Sequence, residues 1–139
     1  MMRALFAAVL LFAASAADAA PVVVSDAWLR ALPGALPAAG YFKLHNGTAK
    51  TIALTGAKSS ACGELMLHRS RSEGGMAMME DAPAVPVPPG QNVTFAPGGY
   101  HLMCVSPHVR IGETVPITLT FAGGATVEAR FHVRGATGQ

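Results

Sequence analysis

The chain has 139 residues, 13% of them charged, and a formal net charge of +2, so it is nearly neutral. Its length is that of one domain, and it contains no basic run and no amphipathic basic helix, which argues against nucleic-acid binding and against membrane insertion. No Ser-His-Asp arrangement, paired carboxylates or cofactor motif stands out, so we do not expect an enzyme.

The N-terminus has the features of a secretory signal peptide. Arg3 supplies a positive charge, Ala4 to Ala14 form an apolar segment, and Ala17-Asp18-Ala19 resembles a cleavage site. The apolar segment is shorter than the ~20 residues that a membrane-spanning helix needs. We therefore predict a signal peptide over residues 1–19, one domain over residues 20–139, and export to a bacterial periplasm.

The rest of the chain predicts short strands separated by turns. Runs of β-branched and aromatic residues alternate with Gly, Pro, Asn and Ser, at the spacing of an antiparallel sandwich or barrel. Trp28 is expected to be a buried anchor of the first strand. Asp81 to Gly90, with four prolines, is predicted to be a crossover loop outside the sheet. The candidate strands are Val22 to Arg30, Gly40 to His45, Thr51 to Ala57, Glu64 to Arg69, Asn92 to Phe95, Tyr100 to Val105, Val115 to Phe121 and Thr126 to Arg134.

Methionine is confined to one part of the chain. Apart from Met1 and Met2, all methionines lie between positions 66 and 103, where they accompany two histidines in the pattern His-x10-Met-x21-His-x-Met. Thioethers are neutral and polarizable, so two of them with two imidazoles suit Cu(I) better than Zn(II), Ca(II) or Mg(II). The pattern predicts a copper site, Cu(I) being preferred, formed by His68, Met79, His101 and Met103.

Strand geometry gives this spacing a structural meaning. His101 and Met103 are two residues apart, so on a strand they share one face, and Met66 and His68 have the same relation. Met76, Met78 and Met79 follow Gly74-Gly75, in a loop or short strand that can fold back over this edge. The ligands are therefore expected to meet at one end of the sandwich.

The two cysteines, Cys62 and Cys104, leave two interpretations open. In an exported protein they could form one disulfide or remain as thiols. Cys104 follows Met103 directly, and adjacent strand residues face opposite sides, so Cys104 is expected in the core and not at the metal.

Several longer blocks carry a family resemblance. The ligand spacing, together with Ala27-Trp28-Leu29-Arg30 and Pro97-Gly98-Gly99-Tyr100-His101-Leu102-Met103, resembles the periplasmic PCu(A)C copper chaperones. The resemblance implies an all-β, cupredoxin-like antiparallel β-sandwich (Greek key) that is not an enzyme. It also implies Cu(I) binding by two His and two Met, and delivery to the binuclear copper centre of cytochrome c oxidase, alone or with a thiol-bearing assembly protein.

Carried over by position, the family's ligands fall on His68, Met79, His101 and Met103. The family's Gly-x-Met-x-Met motif would instead select Met78, which we keep as a substitute ligand. Met66 and Met76 are kept as accessory residues. Cu(II) is a second candidate for the metal, and we expect a monomer.

Two other classes of protein stay open at this point. A blue-copper-like electron carrier would need a cysteine ligand, and only Cys104 is near. A metal-free β-sandwich interaction module would use the methionines as an exposed recognition patch. The acidic residues beside the methionines, including Glu80 and Asp81, are interpreted as solvated surface charge.

Overall fold

The computed structural model describes residues 21–139, and this part of the chain is built from strands. Each of the eight predicted strands overlaps an observed one, and three have identical bounds. No helix in this part is long and apolar enough to cross a membrane. The predicted signal peptide lies outside the described residues. The strands are β1 (Val22–Arg30), β2 (Ala38–Asn46), β3 (Ile52–Lys58), β4 (Cys62–Glu73), β5 (Met76–Asp81), β6 (Val85–Val87), β7 (Asn92–Phe95), β8 (Tyr100–Pro107), β9 (Thr114–Phe121) and β10 (Thr126–Arg134).

The strands are hydrogen-bonded in the order β5-β4-β8-β2-β1-β10-β9-β3-β6, and β7 pairs with β2. Both halves of this path turn their apolar face toward a single core, as the two layers of a sandwich must. The predicted all-β sandwich is confirmed. The largest fully buried side chains of the core are Phe42, Phe95, Phe131, Leu29, Leu44, Leu54, Leu102, Ile117 and Leu119.

One strand pair departs from the predicted antiparallel arrangement. β1 and β10 run parallel, with Leu29 opposite Val133. They are the first and last strands of the sandwich, so no short turn joins them and no local pattern fixes their relative direction. The other strand pairs in the described part of the chain are antiparallel.

A bulge in β1 changes which side chains face the core. The pairing of β1 with β2 shifts between Ser25 and Trp28, and Asp26 within the bulge has φ +50°. Val22 and Val24 pack on the core before the bulge, and Ala27 and Leu29 do so after it. The expectation that Trp28 is a buried core anchor is therefore wrong, because the extra residue of the bulge turns it to the outer face, where it is half-buried.

The predicted loop from Asp81 to Gly90 is also wrong in part. Val85–Val87 forms β6, which pairs with β3 and ends the sheet, and Ala53 lies opposite Pro86. Proline is tolerated in an edge strand because one side of the strand needs no donor. Both flanking valines are buried, as expected for apolar residues on one face of a half-buried strand.

The cysteines form a disulfide, which answers the question that the sequence leaves open. Cys62 at the start of β4 bonds to Cys104 in β8, with their Cα atoms 5.3 Å apart. Both are buried beside Ala38. The bond fixes β4 to β8, the two strands that carry the predicted histidine ligands.

Asn46, at the end of β2, is a buried polar anchor. Its amide donates to the carbonyls of Lys50 (2.7 Å) and Val87 (2.8 Å), and its oxygen accepts from the backbone and hydroxyl of Thr48. It thereby joins β2, the turn that follows it and the edge strand β6.

We expect Asn46→Ala to lower the free energy of unfolding by about 2–3 kcal/mol, because buried carbonyls and an amide would lose their partners. Urea unfolding followed by circular dichroism measures this loss. Asn92→Ala, on an exposed residue, is the control and should change stability by less than about 0.5 kcal/mol. Equal effects of the two variants would contradict the anchoring role.

Candidate metal centre

The two predicted histidine ligands lie directly opposite each other. His68 of β4 pairs with His101 of β8, and their ring centroids are 5.7 Å apart at an interplanar angle of 82°. Residues opposite each other in an antiparallel pair share a face of the sheet. The next pair on that face is Met66 with Met103. Register therefore places three predicted ligands and the accessory residue Met66 in two neighbouring pairs on the outer face.

Two ring nitrogens of this histidine pair have no hydrogen-bond partner in the described part of the chain. His68 Nδ1 and His101 Nε2 are buried, and neither makes a hydrogen bond within residues 21–139. Buried polar atoms are nearly always satisfied, so a pair of exceptions in contacting rings needs an explanation. Binding of a metal ion by the two lone pairs would satisfy both atoms at once.

The other nitrogen of each ring indicates which atom carries the proton. His68 Nε2 lies 3.1 Å from Asp81 Oδ1, and His101 Nδ1 faces the carbonyl of Gly99 at 3.4 Å. Because both of these neighbours are acceptors, the facing nitrogens are assigned as the N–H donors. The unpartnered nitrogens then carry the lone pairs that a metal needs.

The thioethers approach the histidines through a cavity of about 150 Å³. Met79 from β5 and Met103 from β8 line it together with His101, while Arg30 and Tyr41 form another wall. Leu32 and Pro37, from the segment between β1 and β2, complete the lining on one side. The cavity thus brings three of the four predicted ligands together, and the fourth, His68, contacts the His101 ring.

The hairpin of β4 and β5 decides the geometry of the neighbouring methionines. Gly74 and Gly75, with φ of +59° and +81°, form its turn, where a side chain would be strained. In the resulting register Met79 lies opposite Ser70 and Met78 opposite Arg71. Ser70 is two residues after His68 and so shares its face of the sheet, which we call the ligand face. Met79 is therefore on the ligand face, and Met78 is on the opposite face.

The remaining two methionines are placed apart from the cavity. Met76 lies opposite Glu73 on the face of Met78 and is 70% exposed. Met66 shares the ligand face but lines a different depression, with Leu65 and Asp81 among others. Neither position brings a sulfur into the cavity that holds His101.

Burial keeps the imidazole of His101 neutral. His101 is 4% exposed, and desolvation lowers its pKa below the ordinary 6.5, while the Gly99 carbonyl opposes the shift and the charges of His68 and Arg30 add to it. Burial also raises the pKa of the Tyr41 phenol, against the effect of Arg30. At neutral pH the His101 ring is therefore available as a lone-pair donor.

Three residues of the site are not among the residues predicted from sequence. Arg30 and Tyr41 line the cavity, and Asp81, interpreted as solvated charge, contacts His68. Asp81 is indeed 90% exposed, and its role follows only from the β4–β5 register. For Arg30 the local pattern misleads, since Arg30 is two residues after Trp28 and alternation counted from Val22 places both residues on the core face.

The fold resembles those of solved copper-binding domains. The copper-bound PCuAC domain from PmoF2 is 26% identical, with a TM-score of 0.68 over 82% of this chain and 92% of that one. The solution structure of CuI-DR1885 from Deinococcus radiodurans is 31% identical, with a TM-score of 0.67 over 85% of this chain and 81% of that one. These similarities confirm the predicted resemblance and define a domain of the PCu(A)C type.

A family profile matches nearly the whole described chain. Residues 22–133 match the family described as "Putative lipoprotein LpqE-like", to which the chain therefore belongs. A protein with the corresponding lipoprotein description, Lxx21020 of Leifsonia xyli subsp. xyli (strain CTCB07), is 31% identical over 120 residues. This match covers 84% of the present chain and 72% of the relative.

Proposed function

We propose that this protein is a copper chaperone. It binds Cu(I) through His68, Met79, His101 and Met103 and delivers it, in the periplasm, to the binuclear copper centre of cytochrome c oxidase. The observation that carries the proposal is the pair of buried, unpartnered imidazole nitrogens beside a cavity lined by two thioethers. The copper in the names of two similar structures supports the choice of metal.

The donors in this cavity favour Cu(I) over other metals. Two imidazoles and two thioethers add no negative charge, so they suit a soft monovalent ion. Within the described residues no group of three or more His, Cys, Asp or Glu side chains is suited to hold a metal. Cys104, which a blue-copper site would need as its thiolate, is oxidised in the disulfide and lies on the core face.

The placement of the donors also suits transfer. His101 is buried, whereas Met79 is 64% exposed and belongs to a strand that, among residues 21–139, pairs with β4 alone. An acceptor can displace the exposed Met79 first and the less accessible histidines later, so copper need not be released to solvent. The acceptor is the copper-centre subunit of the oxidase or a thiol-bearing assembly protein, and the chaperone acts as a monomeric carrier, not as an enzyme.

The test has two stages. The first is an anaerobic titration of the protein with Cu(I) in competition with a chromophoric chelator, in which we expect tight one-to-one binding. The second mixes the loaded protein anaerobically with the apo copper-centre domain of the oxidase, separates the two proteins and measures the copper content of each. Absence of binding would favour the metal-free interaction module, and binding without transfer would leave a copper carrier with another acceptor.

The two adjacent methionines of β5 allow a matched comparison. We expect Met79→Ala to weaken Cu(I) binding by about tenfold or more, because a donor is lost from the cavity. Met78→Ala removes the same side chain from the other face of the hairpin and should leave the affinity within about threefold. The chelator titration measures both. A larger loss for Met78→Ala would reverse the assignment.

A further inference from the structure

Arg30 places a fixed positive charge at the wall of the copper cavity. Its Nη2 donates to Tyr41 Oη at 2.7 Å, and its guanidinium carbon lies 5.3 Å from the centre of the Tyr41 ring. Tyr41 is itself 3% exposed, so this pairing holds a half-buried arginine in one orientation. The bulge in β1 is what turns Arg30 outward, to the face that carries His101 and Met103.

No carboxylate of the described residues compensates this charge. Arg30 takes part in none of the ion pairs found among residues 21–139, and the cavity lining contains no Asp or Glu. The nearest acidic contact of the site is Asp81 with His68, and the Asp81 side chain is 90% exposed and therefore well screened by solvent. Because the Arg30 guanidinium is not neutralised by an anion, its charge raises the energy of a metal ion bound in the cavity.

We propose that Arg30 determines the valence selectivity of the site, disfavouring Cu(II) more than Cu(I) and limiting how tightly either is held. This inference rests on the proposed function. Repulsion is proportional to the charge of the ion, so Arg30 acts twice as strongly on Cu(II) as on Cu(I). A chaperone gains from both effects, since its cargo stays reduced and leaves more readily.

The size of the effect follows from Coulomb's law. Across a small, partly solvated cavity, one unit charge acting on another changes a binding constant by about tenfold. Arg30→Gln should therefore raise the Cu(I) affinity about tenfold and the Cu(II) affinity about a hundredfold. The affinity ratio then shifts about tenfold toward Cu(II), which lowers the reduction potential of the bound copper by about 60 mV.

The experiment measures Cu(I) and Cu(II) affinities by chelator competition for the wild type, Arg30→Gln and Arg30→Lys. Arg134→Gln is the matched control, because Arg134 stacks on Trp28 at 5.1 Å, is absent from the cavity lining, and its loss changes the net charge equally. Only Cu(II) whose electron paramagnetic resonance signal is abolished by His101→Ala counts as bound at the site. Thermal unfolding checks that each variant is folded.

We expect the ratio of Cu(II) affinity to Cu(I) affinity to shift in Arg30→Gln and to stay near the wild-type value in Arg30→Lys and Arg134→Gln. A ratio unchanged in Arg30→Gln, or shifted equally in Arg134→Gln, would overturn the inference while leaving the proposed function intact. A wild type that binds neither ion would overturn both. A shift in Arg30→Lys as large as in Arg30→Gln would show that hydrogen bonding to Tyr41, and not charge, is responsible.

Discussion

The double variant His68→Ala/Met103→Ala is expected to lose Cu(I) affinity by more than about a hundredfold while keeping the fold. Changes that only reorient metal ligands weaken binding by 10–100-fold in other metalloproteins, so removal of two of four donors should exceed about a hundredfold. Both side chains lie on the outer face of the sheet and are only partly buried, so the core is not opened. Anaerobic chelator competition measures the affinity.

A second double variant provides the control for this experiment. His132→Ala/Met78→Ala removes the same two residue types, but His132 contacts Thr114 and lies on β10, three strands from β8, and Met78 is on the face of the hairpin opposite to that of Met79. Its Cu(I) affinity should remain within about threefold of the wild type. If both double variants lost copper equally, or neither did, the assignment of the cavity as the copper site would be wrong.

Removing the disulfide is expected to have the largest effect on stability. Cys62 and Cys104 are 42 residues apart, and closing a loop of that length restricts the unfolded chain by an amount worth about 4 kcal/mol. Cys62→Ala/Cys104→Ala should lower the free energy of unfolding by that amount, measured with urea under oxidising conditions. The wild type treated with dithiothreitol should show a similar loss.

The same variant tests whether cysteine takes part in copper binding. Both sulfurs are buried on the core side, next to Ala38, whereas the unpartnered nitrogens face the cavity. We therefore expect the folded Cys62→Ala/Cys104→Ala protein to bind Cu(I) within about threefold of the wild type. Loss of copper in a folded variant would support a cysteine ligand and revive the blue-copper alternative.

Sequence reasoning succeeded where a local pattern determines the structure. Residues two apart on a strand share a face, and this relation alone groups His101 with Met103 and Met66 with His68. Turn residues bound the strands well enough to predict the class of fold. These inferences need only the alternation of side chains and the chemistry of Gly and Pro.

The errors arise where pairing or an insertion overrides the local pattern. Alternation counted from Val22 places Trp28 inward, but the bulge at Asp26 shifts the count by one residue. The prolines around Val85–Val87 predict a loop, and only the position of β6 at the sheet edge makes a strand acceptable. The spacing to the two histidines selects Met79 over Met78, whereas the placement of these methionines on opposite faces follows from the hairpin turn, which sets the register of β5.

The pairing of β5 with one neighbouring strand, β4, affects how long a metal ion stays bound. β5 is exposed throughout and, in the part of the chain that the structure describes, is hydrogen-bonded on one side alone, so it can detach from β4 without disturbing the core. Local openings of this kind need far less free energy than global unfolding. The residence time of copper is therefore expected to follow the rate at which the β4–β5 hairpin opens. A change in that rate can shorten or lengthen the time copper stays bound while the stability of the sandwich is unchanged.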